Sequence, residues 1–107
     1  AEANHLIVHQ ESLVFETAKL EAIPTPGHTE GGMIYVLESE RCAFVGDTIF
    51  YLSVGRTDLP GGDPEALMQS INQIIFQLPD DFILYPGHER PTTVGFEKSF
   101  NPYVLVV

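Results

Sequence analysis

The sequence predicts strands and helices packed in layers, α+β or α/β, within one domain. Three observations point there. The apolar, β-branched runs are short and bounded by turn residues; one well-capped helical pattern interrupts them; and no low-complexity tract or linker divides the 107 residues. The 44% hydrophobic and 19% charged content is that of a folded chain rather than a disordered one.

His5 to Val14 (HLIVHQESLV) has no helical period and reads as two short strands, with Gln10 and Glu11 near the turn. Lys19 to Ile23 alternates, with Leu20 and Ile23 inward, until Pro24 and Pro26 end any regular ladder. Met33 to Leu37 and Cys42 to Val45 are apolar runs joined by the polar ESER stretch, a hairpin turn. The segment TIFYLSVGR after Asp47 fits no single pattern. Asp63 is a good N-cap, Pro64 suits the first helical position, and Leu67, Ile71, Ile74 and Leu78 recur at helical spacing until Pro79. Phe82 to Tyr85 is a short strand. Thr92 or Thr93 caps a last helix through Phe100, against which the helix-weakening Gly95 counts.

Fifteen Asp and Glu residues against 5 Lys and Arg give a net charge of −10, which argues against a nucleic acid or an anionic membrane as partner. No apolar run approaches the ~18 residues of a membrane span, and no basic-then-apolar leader is visible. The single Cys42 excludes an internal disulfide framework and fits a reducing, cytoplasmic setting. The chain opens on Ala1 rather than Met, as a processed product or a piece of something longer would.

Three segments share one design: an apolar strand, then glycine, then a residue that ligates metals. They are IPTPGH ending at His28, CAFVGD ending at Asp47 and FILYPGH ending at His88. Two imidazoles and a carboxylate suit zinc, iron or manganese, and a carboxylate has two oxygens with which to bridge two ions. Each segment alone is also an ordinary turn, since Pro-Gly-His and Gly-Asp are common there. Their recurrence favours the ligand reading. His5 and His9, separated by Leu-Ile-Val, read as surface or strand-edge residues.

At these residues the sequence resembles the metallo-β-lactamase-fold hydrolases, in their glyoxalase II-like branch. The matching stretches are TPGHTEGG (Thr25–Gly32), FVGDTIF (Phe44–Phe50), GRTDLPGGD (Gly55–Asp63) and YPGHERPTTVGFE (Tyr85–Glu97), followed by Asn101-Pro102-Tyr103. The resemblance implies an α+β fold of αββα layers. Residues 1–107 correspond to its C-terminal half: a mainly antiparallel sheet with one or two helices packed on it. It implies that His28 is the third histidine of a first metal site, that Asp47 bridges two metals as the catalytic carboxylate, and that His88 serves the second metal. Such sites hold two divalent ions, zinc first and iron or manganese as alternatives, which lower the pKa of a bound water and yield a hydroxide to attack a thioester carbonyl. Arg56 is the candidate for binding an anionic substrate group, with an ion pair to Asp58 as the alternative. Thr92 and Thr93 fit supporting or capping roles.

The His-x-His-x-Asp-His signature that supplies the remaining ligands in that family is absent, and Glu89-Arg90 replaces the Gly-Pro of many relatives. The expectation is therefore a metal-dependent thioester hydrolase in a longer parent, with this segment alone inactive and metal-free. Its exposed face would be covered by the missing N-terminal half or by self-association. Two alternatives stand beside it: a persulfide dioxygenase-like enzyme with a single iron on His28 and Asp47, and a non-catalytic interaction module.

Overall fold

The computed structural model describes residues 11–15 and 18–104. Its elements follow in the order β1 (Glu11–Phe15), β2 (Ala18–Pro24), β3 (Met33–Leu37), β4 (Cys42–Gly46), β5 (Ile49–Phe50), β6 (Ser53–Val54), α1 (Pro64–Gln73), β7 (Ile83–Pro86), β8 (Thr92–Thr93) and α2 (Val94–Phe100). Six strands form one sheet in the order β1-β2-β3-β4-β7-β8, and β5 pairs with β6 in a separate hairpin. Every pairing in the large sheet is antiparallel except β4 with β7. That parallel pair needs a long crossover, which the β5–β6 hairpin and α1 supply. The α+β expectation, a mainly antiparallel sheet with two helices on it, matches this architecture.

Alternation along the strands decides which side is covered. Ile34 and Val36 on β3, Ala43 and Val45 on β4, and Leu84 on β7 share one face and are buried with Leu67 and Ile71 of α1 in the main core. Helix α1 starts where its cap directs it: Asp63 Oδ1 accepts from the amides of Glu65 (3.0 Å) and Ala66 (3.2 Å), a contact worth about 1 kcal/mol. The helical spacing predicts a run to Leu78, yet α1 stops at Gln73 and a 3₁₀ turn covers Ile75–Gln77. A continued α-helix would keep Ile75 beside the Leu67–Ile71 face but turn Phe76 to the opposite side. The tighter turn brings Phe76 into the core beside Ile75 and leaves Ile74 and Leu78 only partly buried.

Other differences are local. Glu11 belongs to β1 instead of a turn, and the strand expected over residues 5–10 lies outside the described residues. The ESER stretch is a 3₁₀ turn closed by Arg41 at φ 51°, whose amide donates to the Glu38 carbonyl. TIFYLSVGR resolves into the β5–β6 hairpin. The last helix forms despite Gly95, capped by Thr93, whose Oγ1 accepts from the Phe96 amide (3.1 Å). Among the described residues no helix is long and apolar enough to cross a membrane.

Candidate metal centre

Strands β2, β4 and β7 point the same way, because β3 reverses between β2 and β4 while β4 and β7 are parallel. Their C-terminal ends therefore lie at one edge of the sheet. His28 follows β2, Asp47 follows β4 directly, and His88 follows β7, so the topology gathers three residues that are 19 and 41 positions apart in sequence. Hydrogen bonds then fix the His28 loop. The Thr25 amide donates to the Gly32 carbonyl (2.8 Å), the Asp63 amide to Gly27 (2.7 Å) and Ser70 Oγ to Pro26 (2.7 Å), tying the loop to α1.

Within the centre, His28 Nε2 stands 3.6 Å from Asp47 Oδ2, and His88 Nε2 stands 3.3 Å from Oδ1. His28 Nδ1 lies 2.8 Å from the Arg56 carbonyl, which only accepts, so Nδ1 carries a proton, and in the neutral ring Nε2 is left as an electron-pair donor towards Asp47. In that form two electron-pair donors face one another, His28 Nε2 and Asp47 Oδ2. Asp47 Oδ1 is buried and has no hydrogen-bond partner. A cation is what such an arrangement lacks. The donor set therefore fits divalent metal ions, with His28 and Asp47 on one side and Asp47 and His88 on the other. The fit is partial: among the described residues no three His, Cys, Asp or Glu side chains close a shell around one ion.

Two glycines make the close approach possible. A Cβ on Gly55 would stand 2.0 Å from the Asp47 carbonyl oxygen, and one on Gly87 would stand 3.0 Å from Asp47 Oδ1. Any other residue at Gly55 would press on the Asp47 backbone carbonyl and on the His28 ring. The three ligand candidates open into a cavity of about 430 Å³, walled by Phe50, Ser53, Val54, Arg56 and Glu89. Phe50 stacks on the His88 ring with centroids 5.6 Å apart. Arg56 reaches this wall while paired with Asp58 through two contacts (2.7 and 3.0 Å), which hold the Asp58 carboxyl below its usual range.

Thr92 and Thr93 stand away from the cavity. Thr93 caps α2, and buried Thr92 donates to Glu97 Oε2 (2.6 Å). Sequence reasoning passed over Phe50, Glu97 and Asn101. The last two sit four apart, one on α2 and one at its C-cap, and are buried, so a pair of polar residues on the inward side of a short helical turn was the available signal.

A profile of the metallo-beta-lactamase superfamily matches residues 4–88. The hydroxyacylglutathione hydrolase GloC of Haemophilus influenzae is 39% identical over 94 residues, which are 88% of this chain and 44% of that protein. A mitochondrial persulfide dioxygenase of Bos taurus is 36% identical over 106 residues, covering 95% of this chain and 42% of the relative. Among solved structures, the BLEG-1 B3 metallo-beta-lactamase superposes with a TM-score of 0.89 at 39% identity, over 97% of this chain and 50% of that one. The chain spans about half, or less, of the length of the proteins it matches.

Proposed function

We propose, because the chain belongs to the metallo-beta-lactamase superfamily, that its His28–Asp47–His88 pocket is part of a thioester-hydrolysing metal centre. The observation that carries this is the pair of imidazole nitrogens set against the two oxygens of one carboxylate, one oxygen buried and without a hydrogen-bond partner. His28, Asp47 and His88 would hold two divalent ions, zinc first and iron or manganese as alternatives. Bound there, they would supply Lewis-acid polarisation and a water of lowered pKa.

The chain's own residues do the rest. The Arg56 carbonyl orients the His28 ring, Phe50 packs on His88, and Phe50 and Val54 give the pocket an apolar wall for an acyl or thiol segment. Arg56 at the rim would meet an anionic end of the substrate by exchanging Asp58 for it. The centre needs further ligands. We take them to come from additional polypeptide packed on the open sheet face, with a second copy of this chain as the other way of covering that face. A reduced Cys42 is consistent with action in the cytoplasm.

A second reading, a single-iron persulfide dioxygenase, is favoured by the similarity to the bovine enzyme. Metal analysis and turnover of the family-length protein separate the two. Two metals per chain, with thioester hydrolysis lowered ~100-fold or more by Asp47→Ala, support the hydrolase. One iron per chain, with oxygen consumed on a persulfide, replaces it by the dioxygenase. Robust thioester turnover by these 107 residues alone would refute the need for more polypeptide.

A further inference from the structure

We propose that Glu97 is a positioning residue for the pocket: its buried carboxyl group holds the Tyr51–Leu52 turn and thereby keeps Phe50 against His88. The functional weight of this wall rests on the pocket being the substrate site, as proposed above; the geometry does not.

Glu97 is fully buried on a seven-residue helix whose next three residues are exposed. A glutamate is rarely placed so without a cation, yet among the described residues no Lys, Arg or His pairs with it, and neighbouring Lys98 binds Asp80 instead (3.0 Å). Its partners are three neutral donors from separate places in the fold. Leu52 N–H (3.0 Å) and Asn101 Nδ2 (2.9 Å) donate to Oε1, and Thr92 Oγ1 (2.6 Å) donates to Oε2. Both oxygens act only as acceptors. Asn101 Nδ2 also donates to the Ser53 carbonyl (3.0 Å), so α2 grips both sides of the hairpin turn.

The turn needs such a grip. Leu52 has φ 59°, the left-handed region that disfavours a residue with a bulky side chain. Carried on this hairpin are Phe50, stacked on His88 (5.6 Å, 20°), and the pocket residues Ser53 and Val54. Tyr51 stacks on Phe96 (5.4 Å), which covers the turn but fixes no backbone amide. The Glu97 side chain does not line the pocket, so it acts through Leu52 and Phe50 and not on a substrate.

Nuclear magnetic resonance of this chain tests it without any turnover, so a failed thioester assay leaves the outcome untouched. Phe50→Ala first calibrates the ring-current shift that Phe50 gives the His88 ring protons. Glu97→Ala is expected to shrink that shift and the Phe50–His88 cross-peak at least roughly twofold, while the methyl signals of Ile34, Ile71 and Leu84 stay in place. Adding Leu52→Gly to Glu97→Ala restores the contact, because glycine adopts positive φ without the held amide. Glu97→Gln keeps an acceptor for Leu52 and retains the contact. A folded Glu97→Ala with unchanged His88 signals, no rescue by Leu52→Gly, or loss of the contact in Glu97→Gln each overturns the proposal. Where Glu97→Ala does not fold, Glu97→Asp decides, since its shorter side chain withdraws from Leu52: a weakened cross-peak supports the proposal and an undiminished one overturns it.

Discussion

The two faces of the sheet are made by alternate residues of the same strands and end in opposite conditions. Val45 and Leu84 point to the helices and are fully buried. Their neighbours Phe44 and Tyr85 point the other way and stay 44% and 36% exposed, stacked on each other at 5.4 Å with Ile83 beside them. A sheet with one wet face usually carries polar residues there. Here the wet face is aromatic and aliphatic, so its composition suits contact with another layer. A shallow cavity of about 300 Å³ on this face runs from Met33 and Tyr35 to Gly46 and Gly87. Gly87 also borders Asp47, so a layer laid on the open face would reach the ligand loops as well.

The largest expected effect tests that contrast within one strand. Leu84→Ala removes a fully buried side chain from the main core and should destabilise the chain by about 2–5 kcal/mol. Tyr85→Ala, one position along, should cost less than ~1 kcal/mol in the same chain, because its ring already meets solvent. Urea unfolding of the two variants gives the comparison. Equal losses would mean that the open face is packed in solution, and a concentration-dependent loss for Tyr85→Ala would identify self-association as the cover.

Legibility in the sequence follows the same division. Strands β3 and β4 and the start of α1 are readable because local patterns specify them: alternation, a turn, a capping aspartate followed by proline. The end of α1 is not, since whether Phe76 turns inward depends on what the sheet offers across the core. His28, Asp47 and His88 stand out by their repeated strand–glycine–ligand design, and topology accounts for their meeting. Phe50 and Glu97 stay hidden because nothing local marks them. Phe50 matters through a ring 38 residues away, and Glu97 through a backbone amide 45 residues away. His5 and His9 lie outside the described residues.

An effect of intermediate size is expected at Cys42. Its register partners Leu37 and Ile83 place it on the open face, yet it is buried. Burial, and secondarily the charge of Glu40, push its thiol pKa up. At pH 8 its reaction with an aromatic disulfide reagent should run at least ~10-fold slower in the folded chain than in urea. Labelling at the unfolded rate would show that the face opens beyond the aromatic ladder.

The smallest effect lies on the rim where β4 and β7 begin. Arg41 donates through Nε to Asp81 Oδ2 (2.8 Å) and through Nη2 to Oδ1, and its guanidinium lies 5.0 Å from the Phe82 ring centroid. Arg41 holds the Asp81 carboxyl below its ordinary value of 3.8. In the unfolded chain Asp81 takes up its proton near that value, while the folded carboxylate remains ionised to lower pH. The unfolded state therefore binds more protons in this window, and the stabilisation, complete above it, is lost as pH falls through the folded pKa. Both groups are solvated, so the increment is small. Asp81→Asn should flatten this part of the acid dependence of Tm between pH 5 and pH 2 by an amount well below the loss in Leu84→Ala, roughly the range of a surface ion pair. A larger change would mean that the rim is not solvated as the rest of the exposed edge is, and that the contrast between covered and open faces extends to it.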